Sequence, residues 1–233
     1  MANTKNFETD IAIVGSGGAG MAAGIEARDS GARTIVFEKS DELGGAAIIS
    51  GGGCCIVGSP IQKDMGIEDT PDLAFNDWVT WGGPGTDVVW ARYYIEHSLH
   101  DLYHWAEVQG VKWIDMKPQE GNSVMRWTRP ERNGLGLMTN LIDSFREKGG
   151  EIIKNIEITK IKIKNGRAVG LGGVNTSTGE EINVRSKTVV ITTGGFNSNI
   201  DMVIEARPEF NEFKVMEGSG RGSTGSGHKM VTE

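Results

Sequence analysis

Apolar and polar positions follow two periods along the chain, and the first elements are apparent near its start. Residues 10–14 and 33–37 are short apolar runs, and the Ala-rich segment 20–30 lies between them. Short uninterrupted apolar runs are typical of strands buried on both faces of a parallel sheet. The start of the chain therefore predicts strand, helix and parallel strand, which together form one βαβ unit.

Helical spacing dominates the middle of the chain, after a glycine-rich, irregular stretch at residues 40–70. Apolar residues recur every three or four positions in 88–108 and again in 135–148. A further helix is indicated near residue 70, because Pro71 fits the first turn of a helix. We therefore expect several helices to be inserted after the first βαβ unit.

The period changes to two after residue 150. Residues 158–163 lead to Asn165-Gly166, and an Asn-Gly pair between apolar runs is a strong signal for a hairpin. Apolar runs at 168–174 and 182–184 complete a predicted three-stranded meander, and 188–192 is predicted as a separate, final parallel strand. The Gly/Ser-rich end is expected to form no helix. The predicted fold class is α/β, with domains at 1–215 and 216–233.

Composition narrows the function classes. Glycine accounts for 34 of 233 residues, about 15% and roughly twice the average share, which indicates backbone that turns sharply or approaches something closely. A net charge of −7 argues against nucleic acid as a main partner. Two adjacent cysteines cannot form a disulfide framework, and they favour a reducing, cytoplasmic location. No apolar run reaches the ~18 residues of a membrane span.

A glycine-rich turn follows the first strand. The run Gly15-Ser16-Gly17-Gly18-Ala19-Gly20 fits the dinucleotide fingerprint G-x-G-x-x-G. At this spacing the first glycine makes the turn, the second admits a pyrophosphate and the third lets the helix pack closely on the strand. The helix N-terminus offers free N–H groups to the phosphates. Glu38 follows at the tip of the next strand, where such a residue binds a ribose hydroxyl.

The fingerprint alone does not separate NAD from FAD. An NAD domain would continue with more βαβ units, whereas this chain inserts helices and a meander before its last parallel strand. An NAD(P)-only dehydrogenase remains an alternative at this point.

Further motifs give a specific resemblance. Gly44-Gly45, Gly51-Gly52 and Thr193-Gly194-Gly195-Phe196, followed by Asn199, accompany the fingerprint and the meander. Together they resemble the flavoprotein subunits of the fumarate reductase/succinate dehydrogenase family (FAD-binding family 2). That family includes soluble fumarate reductases, urocanate reductase, aspartate oxidase and 3-ketosteroid dehydrogenases. The resemblance covers nearly the whole chain and implies a Rossmann-like FAD-binding domain of glutathione-reductase type.

The resemblance also implies roles for matching residues near the adenosine half of the cofactor. Gly15, Ala19 and Gly20 would line the pyrophosphate. Thr193-Gly194 would cover one side of the pyrophosphate, and Glu38 would bind the ribose.

Other matching residues are expected to reach the two ends of FAD. Ile158 would meet the adenine through its backbone, and Ala46 with Ser50, Gly51 and Gly52 would pass along the flavin ring. The complete set of expected cofactor-binding residues is Gly15, Gly17, Gly18, Ala19, Gly20, Glu38, Lys39, Gly44, Gly45, Ala46, Ser50, Gly51, Gly52, Ile158, Thr193, Gly194 and Ser226.

The chain departs from the family pattern at several points. Ser226 stands where the family has an acidic residue that contacts the flavin, and Thr128 stands where some members place a histidine. No histidine lies at the position of covalent attachment near Ala46, so noncovalent FAD is expected. The chain ends where the family's substrate-capping domain begins. The catalytic residues are therefore expected in that absent domain, and none is assigned here.

Two other groups have simpler interpretations. His97, His100 and His104 recur at helical spacing, and a partly exposed helix face is favoured over a metal site; no metal is expected. Cys54 and Cys55 are interpreted as two buried thiols rather than a redox pair.

The expected function is that of the FAD-binding portion of an oxidoreductase of the fumarate reductase/ketosteroid dehydrogenase type. Such an enzyme reduces or desaturates a C–C bond next to a carbonyl or carboxylate, and residues 51–71 resemble the steroid branch more closely. The expected partners are a small-molecule substrate, an electron donor or acceptor, and a C-terminal half of the enzyme. The alternative is a non-catalytic FAD-binding module, or one half of a split enzyme.

Overall fold

The computed structural model describes residues 4–216, 218, 220 and 222–232. The chain divides into two compact units. The first consists of Met1–Ile49 and Leu141–Glu233, and the second of Ser50–Asn140.

The strands lie in two sheets and vary from two to eleven residues in length. In chain order they are β1 Thr4–Val14, β2 Thr34–Phe37, β3 Cys54–Cys55, β4 Trp113–Lys117, β5 Trp127–Pro130, β6 Glu151–Ile153, β7 Ile156–Lys164, β8 Arg167–Asn175 and β9 Glu181–Ile191.

The α-helices are α1 Gly18–Asp29, α2 Gly45–Ile48, α3 Pro60–Asp64, α4 Pro71–Gly82, α5 Val88–His97, α6 Trp105–Val108, α7 Asn133–Glu147, α8 Ile200–Ala206 and α9 Ser226–Thr232. Short 3-10 helices occupy Gly83–Gly85 and Pro208–Glu212. The predicted helix over 88–108 consists of α5 and α6 joined by a π-helical segment, Ser98–His104. In the described part of the chain no helix combines the length and apolar character that crossing a membrane requires.

The first unit is built on a six-stranded sheet in the order β6-β2-β1-β9-β8-β7. β6, β2, β1 and β9 are parallel, and β8 and β7 continue the sheet in antiparallel pairing. The predicted α/β class, with a parallel sheet, inserted helices and a three-stranded meander, is confirmed. The hairpin at Asn165-Gly166 is also confirmed, with φ values of 51° and 73° that suit a type I′ turn.

The prediction of separate strands at 182–184 and 188–192 is wrong. β9 is one continuous strand that completes the meander and also pairs with β1 along its length. The polar residues Arg185 and Ser186, which suggested a break, stay in register opposite Glu8 and Thr9 of β1. Backbone bonds to a neighbouring strand therefore maintain the strand where the apolar pattern is interrupted.

The core of this unit lies on the sheet. Its buried apolar residues are Ala12, Val14, Ile35, Phe37, Ile156, Ile158, Leu171, Ile182 and Val184. On α1, Gly24 allows close packing, because a Cβ there would lie 2.8 Å from the Phe145 ring. The apolar runs seen in the sequence are thus buried strands of a parallel-dominated sheet.

The second unit contains a three-stranded antiparallel sheet in the order β3-β5-β4, which the sequence pattern did not predict. Beside it lies a buried ion cluster. Arg126 is fully buried and donates to both carboxylate oxygens of Asp69, at 2.8 Å each, and to Asp77 at 2.5 Å. Gln62 of α3 donates to Asp69 at 2.9 Å. The cluster therefore connects α3, near the start of this unit, with Arg126, which directly precedes β5.

The expectation that the Gly/Ser-rich end forms no helix is wrong. α9 covers Ser226–Thr232, and Gly227 packs closely, since a Cβ there would lie 1.8 Å from Thr193 Oγ1. Within the predicted segment 216–233, residues 217, 219, 221 and 233 lie outside the described residues, as do residues 1–3 of the predicted domain 1–215.

Candidate cofactor site

The turn after β1 requires glycine at its first position. Gly15 has a φ of +103°, and a Cβ there would lie 2.6 Å from the backbone oxygen of Thr192. The Gly15 N–H donates to the carbonyl of Phe37 at 2.9 Å, which fixes the turn against the end of β2. The left-handed φ and the close backbone contact both exclude a side chain here.

The other two fingerprint glycines have different surroundings. A Cβ on Gly20 would lie 2.0 Å from the Gly15 carbonyl oxygen, so this glycine permits close packing of α1 on the turn. Among the described residues, apart from Gly17 itself and its chain neighbours, no heavy atom lies within 4 Å of the Cβ position of Gly17, so this position faces open space at the N-terminus of α1. This arrangement leaves room for a ligand at Gly17 and none at Gly20.

The carboxylate of Glu38 is buried at the end of β2, and its hydrogen bonds join two loops. Oε2 accepts from the backbone N–H of Ser16 at 2.9 Å and from its hydroxyl at 2.8 Å. Oε1 accepts from the Ser40 N–H at 3.0 Å. Glu38 thus fixes the fingerprint turn, and it is also one of the residues that line the adjoining cleft.

A second glycine pair lies beside the fingerprint. Gly44, with a φ of +99°, precedes α2 and donates its N–H to the Ser16 hydroxyl at 3.1 Å. The Cβ position of Gly45 lies 3.6 Å from the Cα of Gly17. The two glycine segments therefore meet in the first unit.

These elements enclose a cleft with about 720 Å³ of space free of protein atoms, part of it open to solvent. Its lining comes entirely from the first unit and consists of Val14, Gly15, Ser16, Gly17, Phe37, Glu38, Lys39, Gly45, Ala46, Ile156, Glu157, Ile158, Thr192, Thr193, Gly194, Gly222, Ser223 and Ser226.

The C-terminal segment reaches the cleft through Lys39. The ammonium of Lys39 donates to the carbonyl of Gly222 at 3.1 Å and to the Thr224 hydroxyl at 3.2 Å. Gly225 donates its N–H to the carbonyl of Gly195 at 3.1 Å, which holds the start of α9 near the end of β9.

Most of the predicted site residues come together at this cleft. Those that line it are Gly15, Gly17, Glu38, Lys39, Gly45, Ala46, Ile158, Thr193, Gly194 and Ser226. Gly18, Ala19, Gly20 and Gly44 lie in the same loops and the first turn of α1, outside the lining set. Ser50, Gly51 and Gly52 belong to the second unit.

The sequence pattern missed Ser16. It occupies a variable position of the fingerprint, so the motif gave no signal for it. The structure shows a fully buried hydroxyl that bonds both Glu38 and Gly44. Ser223 was also missed, because its contribution depends on the return of the C-terminal segment to the cleft.

The adjacent cysteines lie in the second unit. Both are free, and both are half-buried rather than buried as expected from the sequence. This degree of burial raises the pKa of each thiol to about 11. They are neighbours in strand β3, where consecutive side chains point to opposite faces of a sheet. This geometry does not favour a bond between the two sulfurs. The described residues include no cluster of three potential metal ligands.

The sequence model of one protein family, described as "FAD binding domain", matches residues 10–233. The chain belongs to this FAD-binding family. The match decides between the two dinucleotides in favour of FAD, and it agrees with the cleft, where glycine backbone, an open helix N-terminus and a buried carboxylate acceptor converge. The residues present fit the adenosine and pyrophosphate parts of FAD.

Individual members of the family are similar over almost the whole chain. The chain is 32% identical to urocanate reductase of Eggerthella lenta over 236 residues, which is 96% of this chain and 38% of that protein. A flavocytochrome c3 fumarate reductase in an open conformation has a TM-score of 0.89 and 28% identity, covering 97% of this chain and 40% of that one.

A 3-ketosteroid-Δ4-(5α)-dehydrogenase from Rhodococcus jostii RHA1 has a TM-score of 0.86 and 26% identity, covering 97% of this chain and 53% of that one. These values do not favour the steroid branch over the fumarate reductase. The chain spans 38% to 53% of the length of these three proteins.

Proposed function

We propose that this chain is the FAD-binding portion of a flavin-dependent oxidoreductase that reduces or desaturates a C–C bond next to a carbonyl or carboxylate. The names of its relatives support the proposal, since they are urocanate reductase, fumarate reductases and ketosteroid dehydrogenases. FAD supplies hydride transfer in such reactions, while the protein supplies binding and orientation. The substrate, the direction of the reaction and the catalytic residues are not assigned.

The adenosine half of FAD is proposed to bind in the cleft of the first unit. The observation that carries this placement is Glu38, a buried residue that lines the cleft and whose carboxylate is held by three N–H or O–H donors. Such a carboxylate accepts a ribose hydroxyl without further rearrangement. Ile158 lines the same cleft, which supports its proposed contact with the adenine through its backbone.

The pyrophosphate is proposed to lie over the fingerprint turn. Gly17 leaves open space at the N-terminus of α1, where free N–H groups and the helix dipole favour phosphate. The residues assigned to this part of the site are Gly15, Gly17, Gly18, Ala19, Gly20, Gly44, Gly45, Thr193 and Gly194. Lys39, which follows β2, and Ser226 of the C-terminal segment are proposed to border it.

The flavin ring is proposed to pass Ala46, Ser50, Gly51 and Gly52, and to be held without a covalent bond. The sequence has alanines at positions 46 and 47, where covalent attachment would need a histidine, which supports noncovalent binding. Gly52 has a φ of +66°, and a Cβ there would lie 2.6 Å from the backbone of Asn133, so a side chain is excluded at this position.

We also propose a cytoplasmic location, an electron donor or acceptor as partner, and further protein that completes the catalytic site. The unpaired state of Cys54 and Cys55 is consistent with a reducing compartment. The fraction of each relative that the chain covers supports a contribution from further protein, in the same polypeptide or another.

The test begins with the flavin absorbance of the purified chain and with titration of FAD into the apo form. Wild type is expected to bind one FAD, and Glu38→Ala is expected to bind it at least tenfold more weakly, because a hydrogen bond to a charged acceptor contributes roughly 1.5–3 kcal/mol. Equal FAD affinity of the two proteins would contradict the placement of the ribose.

The alternative is a non-catalytic FAD-binding module, or half of a split enzyme. Two dye-linked assays, each with the chain alone and with a candidate C-terminal half, separate the possibilities. A reduced dye donates electrons for the reduction of urocanate and fumarate, and an oxidised dye accepts the electrons released when a 3-ketosteroid is desaturated. Turnover by the chain alone supports a catalytic unit, and turnover only with the second half supports a split enzyme. Bound FAD without turnover in either case supports the non-catalytic module.

A further inference from the structure

Ser16 connects three separate segments through one buried side chain. Its hydroxyl donates to Oε2 of Glu38 at 2.8 Å and accepts from the N–H of Gly44 at 3.1 Å, and its own N–H donates to the same Oε2 at 2.9 Å. Ser16 has no exposed surface. The turn after β1, the end of β2 and the start of α2 are therefore coupled by a residue to which the fingerprint assigns no role.

These bonds use most of the acceptor capacity of Glu38. An ionised carboxylate has about four lone-pair sites, two on each oxygen. Ser16 fills both sites on Oε2, and the N–H of Ser40 fills one site on Oε1. Among the described residues no other donor reaches the carboxylate, so one acceptor site remains, on Oε1.

We propose that Ser16 is a positioning residue for the cofactor, and that it restricts Glu38 to a single hydrogen bond with one of the two ribose hydroxyls of the adenosine half. The inference rests on the proposed placement of the ribose at Glu38. It follows that only one ribose hydroxyl is recognised by this carboxylate. Loss of the Ser16 hydroxyl also releases both Glu38 and the N–H of Gly44.

The first experiment leaves the protein unchanged and varies the ligand. Binding of ADP, 2′-deoxy-ADP and 3′-deoxy-ADP to the apo chain is measured by calorimetry. Removal of one hydroxyl is expected to weaken binding about tenfold or more, and removal of the other less than about threefold, because only one hydrogen bond to a charged group is lost. Similar losses for both analogues would overturn the single-hydroxyl proposal.

The second experiment is a double-mutant cycle on ADP affinity with Ser16→Ala, Glu38→Ala and the double variant. Ser16→Ala is expected to weaken ADP binding about tenfold alone and to add less than about twofold in the Glu38→Ala background, since a positioning residue acts through its partner. An equal loss in both backgrounds would mean that Ser16 does not act through Glu38. Ser186→Ala is the control, because it also removes a buried hydroxyl from the first unit, one without a hydrogen-bond partner among the described residues.

The outcomes separate this inference from the proposed placement of the ribose. If Glu38→Ala leaves ADP affinity unchanged, the placement itself is wrong. If Glu38→Ala weakens ADP binding while Ser16→Ala does not, the placement stands and the role of Ser16 is wrong. If Ser16→Ala fails to fold, the deoxy-ADP comparison on wild type still decides the single-hydroxyl proposal.

Discussion

Replacement of Gly20 by alanine tests the close contact between α1 and the fingerprint turn. A Cβ on Gly20 would lie 2.0 Å from the carbonyl oxygen of Gly15 and 2.9 Å from Thr192 Oγ1. Since Cβ atoms essentially never approach other heavy atoms within 3.0 Å, helix and turn must separate by about 1 Å. The atom in the way belongs to the backbone, so a side-chain rotation cannot relieve the contact.

The expected cost follows from two opposing effects. Overpacking costs typically ~1–3 kcal/mol, and a rigid backbone contact lies at the upper end of that range. Alanine recovers about 1 kcal/mol through its better helix propensity. The net loss in the free energy of unfolding is therefore about 2 kcal/mol, which corresponds to a fall in Tm of roughly 4–8 °C for a protein of this size.

The assay is urea unfolding of the apo chain, followed by FAD titration. Gly18→Ala is the matched control, because it lies in the same turn of α1 and its nearest neighbour, the Ala47 Cβ, is 3.9 Å away. We expect Gly18→Ala to be as stable as wild type or slightly more stable, and Gly20→Ala to be less stable and to bind FAD more weakly. Equal stability of the two variants would refute the packing argument.

Three further predictions concern other parts of the chain. Lys39→Met removes two hydrogen bonds to the C-terminal segment. We expect faster proteolysis in that segment and a decrease of about 1 kcal/mol in the free energy of unfolding. An unchanged cleavage rate would contradict this prediction. Arg126→Met leaves the buried carboxylate of Asp69 and the largely buried carboxylate of Asp77 without their cation, and it is expected to cost about 3 kcal/mol in urea unfolding at pH 7. Burial raises the pKa of Asp77, but its hydrogen bonds from Ser123 and Arg126 have the larger effect and lower that pKa overall. The ionised Asp77 therefore stabilises the folded protein above the pKa of the unfolded state, and this stabilisation is lost as the pH falls through the pKa of the folded state. The Arg126→Met loss should therefore shrink in acid, and a constant loss would contradict the assignment. Burial raises the pKa of Cys54 and Cys55 to about 11, so few of their thiols are deprotonated at pH 8. Iodoacetamide, which reacts with the thiolate, should therefore label them slowly at pH 8 and faster as the pH approaches 11 or after unfolding. Rapid labelling of the folded chain at pH 8 would contradict this prediction.

Much of the first unit could be predicted because its signals are local. The fingerprint, the apolar strands and the Asn165-Gly166 turn each lie within a short stretch of sequence. The sequence predicts two strands in place of β9 because the polar residues 185–187 interrupt the apolar pattern. In the structure, pairing with β1 maintains one continuous strand. α9 was missed because glycine and serine are poor helix formers, and the hydrogen bond from Gly225 to Gly195 that holds its start is not visible in the sequence.

Site residues could likewise be predicted only where the signal is local in the sequence. Glycines were found because a turn or a close backbone approach leaves few other residues possible. Ser16 was missed because its partners, Glu38 and Gly44, are 22 and 28 residues away. The small sheet of the second unit was missed because strands of two to five residues carry almost no periodic signal.

The central claim is that the adenosine half of FAD binds in the cleft at Glu38, and a crystal structure of the chain with FAD tests it most directly. The account predicts that one ribose hydroxyl lies within hydrogen-bond distance of Glu38 Oε1, with the pyrophosphate over Gly17 at the N-terminus of α1. An adenosine half bound elsewhere, or a ribose held by both oxygens of Glu38, would contradict it.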